Sequence, residues 1–137
     1  MALRAEAWRW LEEAKADLRH ALHSLSAGDY SWCCFAAQQS AEKALKAHIM
    51  VVTRRRPPRG HDLVMLHSRV AGRLTLPRNI QDGLSELSAF YTVARYPNAG
   101  LERPSLEMNR VQAERALRVA ERVVESVSRR FESPRQR

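Results

Sequence analysis

Gly28 to Met50 reads GDYSWCCFAAQQSAEKALKAHIM, and its small and apolar residues recur every three or four positions. Cys34, Ala37, Gln38, Ala41, Leu45, His48, Ile49 and, just beyond, Val52 share one stripe of a helix. Ala36, Ala37, Ala41, Ala44 and Ala47 keep that helix slim, so neighbours can approach closely. The expected span is Asp29 to Thr53, with Asp29 a favourable N-cap residue type. Long, alanine-rich and central, it reads as the spine of a helical bundle.

Upstream, Ala7, Leu11, Ala14, Leu18, Ala21, Leu22 and Leu25 give a first helix from Ala5 to Ser26, which Gly28 ends. Downstream, Pro57 and Pro58 forbid helix and Gly60 permits a turn. A short third helix is expected from Asp62 to Ala71, with Leu63, Leu66 and Val70 inward. A fourth is expected from Asn79 to Ala94, on Ile80, Leu84, Leu87, Phe90 and Tyr91, slightly weakened by Gly83. Pro97 and Pro104 then predict a loop from Arg95 to Glu107. Asn109 and Gln112 have capping-box spacing, and Ala113, Ala116, Leu117, Ala120, Val123, Val124 and Val127 give the last helix, Asn109 to Phe131. Glu114 to Arg118 and Glu125 to Arg129 are spaced to pair along it. The reading is all-α: an up-and-down bundle of four main helices plus one short helix, in one domain over residues 1–131 with a disordered tail at 132–137.

The totals agree. A chain of 137 residues with 45% hydrophobic content can bury one core. No run approaches the ~20 apolar residues of a membrane span. The start, MALRAEAWRWLEEAKADL, carries acids early and lacks the apolar stretch of a signal peptide, so a cytoplasmic protein is expected. Net charge is +8, from twenty arginines and three lysines against fifteen acids. That balance favours anionic partners, or reflects an arginine-rich proteome. Adjacent Cys33 and Cys34 cannot make a zinc site alone and read as reduced, structural thiols, one in the core and one half-exposed. His20 and His23 lie three apart with no supporting ligand, so no metal and no cofactor are expected.

Several pieces coincide in order: Trp8, Lys15 to Leu18 and Ala21 on the first helix, then AAQQSAEKALKA, then HDLVML, then FYTVARYPNAG, then a long alanine-rich helix. Together they resemble the HEPN domain (higher eukaryotes and prokaryotes nucleotide-binding), in its RYP-containing branch, over Glu6 to Ser128. The resemblance implies a helical module that forms homodimers. It also implies, for many members, a minimal nucleotidyltransferase partner in a toxin–antitoxin-like pair. Other members are metal-independent endoribonucleases with an arginine, four to six residues and a histidine near a late helix. Here Arg95 stands in that region with no histidine after it, since the last histidine is His67. A homodimer that binds a nucleotidyltransferase and RNA or nucleotide is therefore the leading expectation. An endoribonuclease and a purely structural dimer are the alternatives.

The candidate binding residues are Arg95, Tyr96, Lys43, Lys46, Arg54, Arg55, Arg56 and His61. In RRRPPRGHDL, Arg54 to Leu63, the three leading arginines are separated from His61 by six, five and four intervening residues, which makes His61 the one weak catalytic candidate. The bland alternative has Arg54 to Arg56 solvated at the end of the second helix, where positive charge is worth ~0.3–1 kcal/mol, and His61 or Asp62 capping the third. Tyr96 can stack on a base and Arg95 can hold phosphate. Alternatively, Arg95 pairs with Glu42 inside the bundle and Tyr96 plugs its end. Gln38 and Glu42 read as buried polar groups, with Glu42 paired to Lys46 or an arginine. Trp8, Trp10 and Trp32 read as core or dimer contacts.

Overall fold

A computed structural model describes residues 2–132 of the chain; of the tail expected at 132–137, Glu132 is instead the last residue of a helix, and 133–137 lie outside the described residues. Four long helices, α1 (Ala2–Ala27), α2 (Tyr30–Thr53), α4 (Arg78–Val93) and α6 (Arg110–Glu132), are accompanied by two short ones, α3 (Leu63–Ser68) and α5 (Pro104–Glu107). The described residues contain no strand.

α2 packs against all five other helices, and α1, α4 and α6 close around it. Its alanines do what their size allows: Ala37, Ala41, Ala44 and Ala47 are fully buried. Leu45 and Met50 are sealed beside them, each worth ~1.5–3 kcal/mol of transfer energy. Because α2 is covered on most sides, Cys33 and Cys34 are both fully buried, against the expectation that one would be half-exposed. Burial pushes their thiols up, to about 11 and about 12, so both stay protonated.

The first helix ends in a Schellman turn. The Asp29 N–H donates to Ser24 O at 2.8 Å, the Gly28 N–H donates to Leu25 O at 3.1 Å, and Gly28 sits at φ +80°. Asp29 precedes α2, but its side chain makes no capping bond, contrary to expectation. Its ψ of 73° lies off the extended range that aims a cap. Asp62 does cap α3, accepting from Val64 and Met65, and Asn109 and Gln112 form the reciprocal capping box of α6. Leu22 is exposed rather than inward. Arg110, not Arg118, pairs with Glu114. α5 lies inside the stretch expected to be loop; Pro104 opens it, and the Arg103 N–H donates to the Glu107 carboxylate. Gly83 lets α4 press on α6, because a Cβ there would stand 2.7 Å from a methyl of Val119. No described helix is long and apolar enough to cross a membrane.

Candidate functional site

The loop after α2 folds back so that His61, at the threshold of α3, lies on the α2 surface. Two side chains pin it there. Gln38, fully buried on α2, donates from Nε2 to His61 O at 3.1 Å. Ser88 of α4 donates to the same oxygen at 3.2 Å and accepts from the Leu63 N–H at 3.0 Å. The His61 Nδ1 then meets Glu42 Oε1 at 2.9 Å.

Glu42 is the hub. Its Oε2 accepts from Lys46 Nζ at 3.1 Å, one helical turn on, and its Oε1 also accepts from Gln38 at 3.2 Å. Glu42 and Lys46 are both buried, a placement tolerable only because each charge has its partner. A carboxylate only accepts, so the hydrogen of the bond to His61 sits on Nδ1. In the neutral ring the lone pair is then on Nε2, on a side chain that is 43% exposed.

His61 also stacks on Tyr91, with ring centroids 3.6 Å apart and planes 13° from parallel. The guanidinium of Arg95, one turn further along the chain, lies 4.4 Å from the same Tyr91 centroid. Tyr91 therefore contacts both the His61 imidazole and the Arg95 guanidinium and links the two. Arg95 also lies 4.6 Å from the Phe35 ring and 4.7 Å from that of Tyr96, and its Nε donates to Tyr91 O at 2.7 Å. Among the described residues no carboxylate pairs with it. Its terminal nitrogens are thus held in place by stacking while keeping their donors for a ligand.

Several sequence expectations are revised by this geometry. Arg95 does not pair with Glu42, because His61 and Lys46 already occupy that carboxylate. Tyr96 does not plug the bundle and is half exposed. Lys43 is tied to Asp17 of α1 at 2.7 Å, away from the Glu42 carboxylate that holds Lys46. Arg54 and Arg55 are exposed at the end of α2, with Arg54 in the left-handed region at φ 56°, while Arg56 pairs with Glu6 of α1 at 2.7 Å. That pair holds the Glu6 carboxyl below its usual range. Among the described residues none of the three arginines hydrogen-bonds to His61. The structure therefore brings together His61, Lys46, Arg95 and Tyr96 and sets apart Arg54, Arg55 and Arg56, while Lys43 lines a cleft between α1 and α2 that Phe35 also lines. Sequence reasoning missed the roles of Tyr91 and Phe35, the aromatic links between those groups. The available signal was the four-residue step from Tyr91 to Arg95. Among the described residues no cluster of His, Cys, Asp and Glu is arranged to hold a metal ion.

The family model for the HEPN domain matches residues 7–130. A protein of Thermus thermophilus has a solved structure that superposes with a TM-score of 0.79 at 35% identity, covering 90% of this chain and 96% of that one. An archaeal HEPN homologue aligns with a TM-score of 0.74 at 28% identity, over 91% and 97% of the two chains. A HEPN domain protein of Thermotoga maritima gives 0.66 at 29% identity, over 88% and 95%. No curated protein matches the sequence.

Proposed function

The chain belongs to the HEPN domain family, and from that footing we propose that it is a binding module that takes the phosphate of a nucleotide or RNA at the Arg95–Tyr91–His61 stack. One observation carries the reading. Arg95 is held against three aromatic rings, with no carboxylate partner among the described residues, in a chain of net charge +8. An arginine used only for folding would be expected to find an acid. One clamped by stacking is pre-organised for the two-pronged contact that phosphate offers. Exposed Arg54, Arg55 and Arg59, near His61 in sequence, add to the attraction. The family resemblance extends the proposal to a homodimer that works beside a nucleotidyltransferase in the cytoplasm.

The test is fluorescence anisotropy with a labelled single-stranded RNA across a salt series. Affinity should fall with salt at ~0.7 log units per log unit for each phosphate neutralised, and Arg95→Ala should lower both affinity and slope. Salt-independent binding, or an unchanged slope in Arg95→Ala, would count against the proposal.

A second reading is favoured by the 2.9 Å bond between Glu42 and His61. A carboxylate-oriented imidazole on a partly exposed side chain, with Nε2 unbonded among the described residues, can take a proton from a ribose 2′-hydroxyl, which is the general-base half of metal-independent RNA cleavage. Cleavage of RNA in EDTA by the parent protein but not by His61→Ala would establish this enzyme reading. No cleavage by either leaves His61 in a binding role.

A further inference from the structure

Between α1 and α2, beside the stack described above, runs a cleft of about 400 Å³. Trp32 and Phe35 form one corner of it, their rings 5.6 Å apart and 79° from parallel. Trp32 is 55% exposed, an unusual position for so large an apolar group. Ala36 keeps the space beside the two rings open, and Gln39, Ser24 and the Lys43–Asp17 ion pair supply polar edges. The Gln39 amide donates through Nε2 to Gln38 Oε1 at 2.9 Å, and its own carbonyl oxygen accepts no hydrogen bond among the described residues.

We infer that this cleft is a nucleobase pocket whose ligand continues to a phosphate at Arg95. The inference rests on the phosphate reading above. Phe35 joins the two places, since it lines the cleft and lies 4.6 Å from the Arg95 guanidinium. A flat heteroaromatic ring suits the corner chemically. Its face gains from stacking on Trp32, and its amino or imino edge can meet the Gln39 carbonyl and the Ser24 hydroxyl. An aliphatic or peptide occupant would use the indole but leave those polar edges unmatched. The positive charge nearby favours a ligand that carries its own phosphate.

The experiment is calorimetric titration, with tryptophan fluorescence read alongside, of the full chain with AMP, UMP and ribose 5-phosphate. AMP and UMP should bind about 10-fold or more tightly than ribose 5-phosphate, the gain expected from stacking one base. They should also quench tryptophan emission where ribose 5-phosphate does not. Trp32→Ala should erase the difference between nucleotide and sugar phosphate, and Trp32→Phe should keep most of it. A five-nucleotide single-stranded RNA that binds far more tightly than AMP, again through Trp32, would assign the pocket to a strand. Equal binding would assign it to the free nucleotide.

Equal affinity of AMP, UMP and ribose 5-phosphate overturns the base pocket and leaves the phosphate reading standing. Failure of all three to bind removes the phosphate reading itself. A Trp32→Ala protein that loses its oligomeric state with AMP affinity unchanged also overturns the inference, by making Trp32 a subunit contact.

Discussion

Glu42 offers one oxygen to each of two basic side chains: Oε1 meets His61 Nδ1 at 2.9 Å and Oε2 meets Lys46 Nζ at 3.1 Å. A single buried carboxylate thus fixes the imidazole of the candidate site and neutralises the most deeply buried lysine of α2. Site and core share one charge.

Replacing that carboxylate should therefore cost stability as well as function. Glu42→Gln keeps the shape but strands Lys46 as an uncompensated buried cation, for which a loss of ~3–5 kcal/mol is expected. Adding Lys46→Met should recover part of the loss. Urea denaturation of the single and double variants reads this directly. A Glu42→Gln protein within ~0.5 kcal/mol of the parent would show that the pair is hydrated and contributes little.

His48 should make the fold acid-sensitive. Among the described residues neither of its ring nitrogens has a hydrogen-bond partner. Burial first, and the positive charge of Arg130 after it, push the imidazole down to about 4, against a smaller upward pull from the nearby Arg73 backbone, which lies outside hydrogen-bonding geometry. Below pH ~6.5 the unfolded chain takes up a proton that the folded chain refuses until about pH 4. Stability from this residue is full above pH ~6.5 and drains away as pH falls towards 4, by on the order of 3 kcal/mol. His48→Leu should flatten that part of the curve. Parallel stability–pH profiles for parent and variant between pH 4 and 7 would refute the assignment.

Gly83 tests the close approach of α4 to α6. In an exposed helix Gly→Ala gains ~1 kcal/mol. Here the new Cβ would meet a Val119 methyl at 2.7 Å, and the β-branched valine has little rotamer freedom to retreat. Gly83→Ala should destabilise by ~1–3 kcal/mol in the parent and stabilise in a Val119→Ala background. Additive effects in the double variant would mean that the helices part without strain.

Arg54 occupies the left-handed region at φ 56°, where its N–H closes the last turn of α2 on Met50 O at 2.9 Å. That conformation costs a non-glycine residue ~1–2 kcal/mol. Arg54→Gly should raise the melting temperature by a few degrees, partly offset by the lost charge at the helix end. A lower melting temperature would show that the arginine side chain contributes more than its backbone loses.

The long helices were legible because each carries a full apolar face, and the stripe from Cys34 to Ile49 alone is enough to put α2 at the centre. α5 was not, since four residues carry no periodicity and its formation depends on Pro104 and on Glu107 reaching back to the Arg103 N–H. His61, Lys46 and Arg95 could each be singled out by residue type, but their convergence could not. It depends on the path of the loop at 54–62, which Gln38 and Ser88 pin by holding one carbonyl oxygen. For the same reason Glu42 was matched with Arg95 as one possible partner, when Lys46 on its own helix and His61 across the loop were closer. Side-chain pairs one turn apart are written in sequence; those made by a returning loop are not.

The most direct test of the phosphate site is to watch Arg95 itself. In a titration of isotope-labelled protein with ribose 5-phosphate at low salt, followed by NMR, the Arg95 Nε–H signal and the ring signals of Tyr91 and His61 should move together. They should saturate at one common ligand concentration. If those signals stay still while resonances elsewhere on the surface saturate, the phosphate binds outside the stack and the account is wrong.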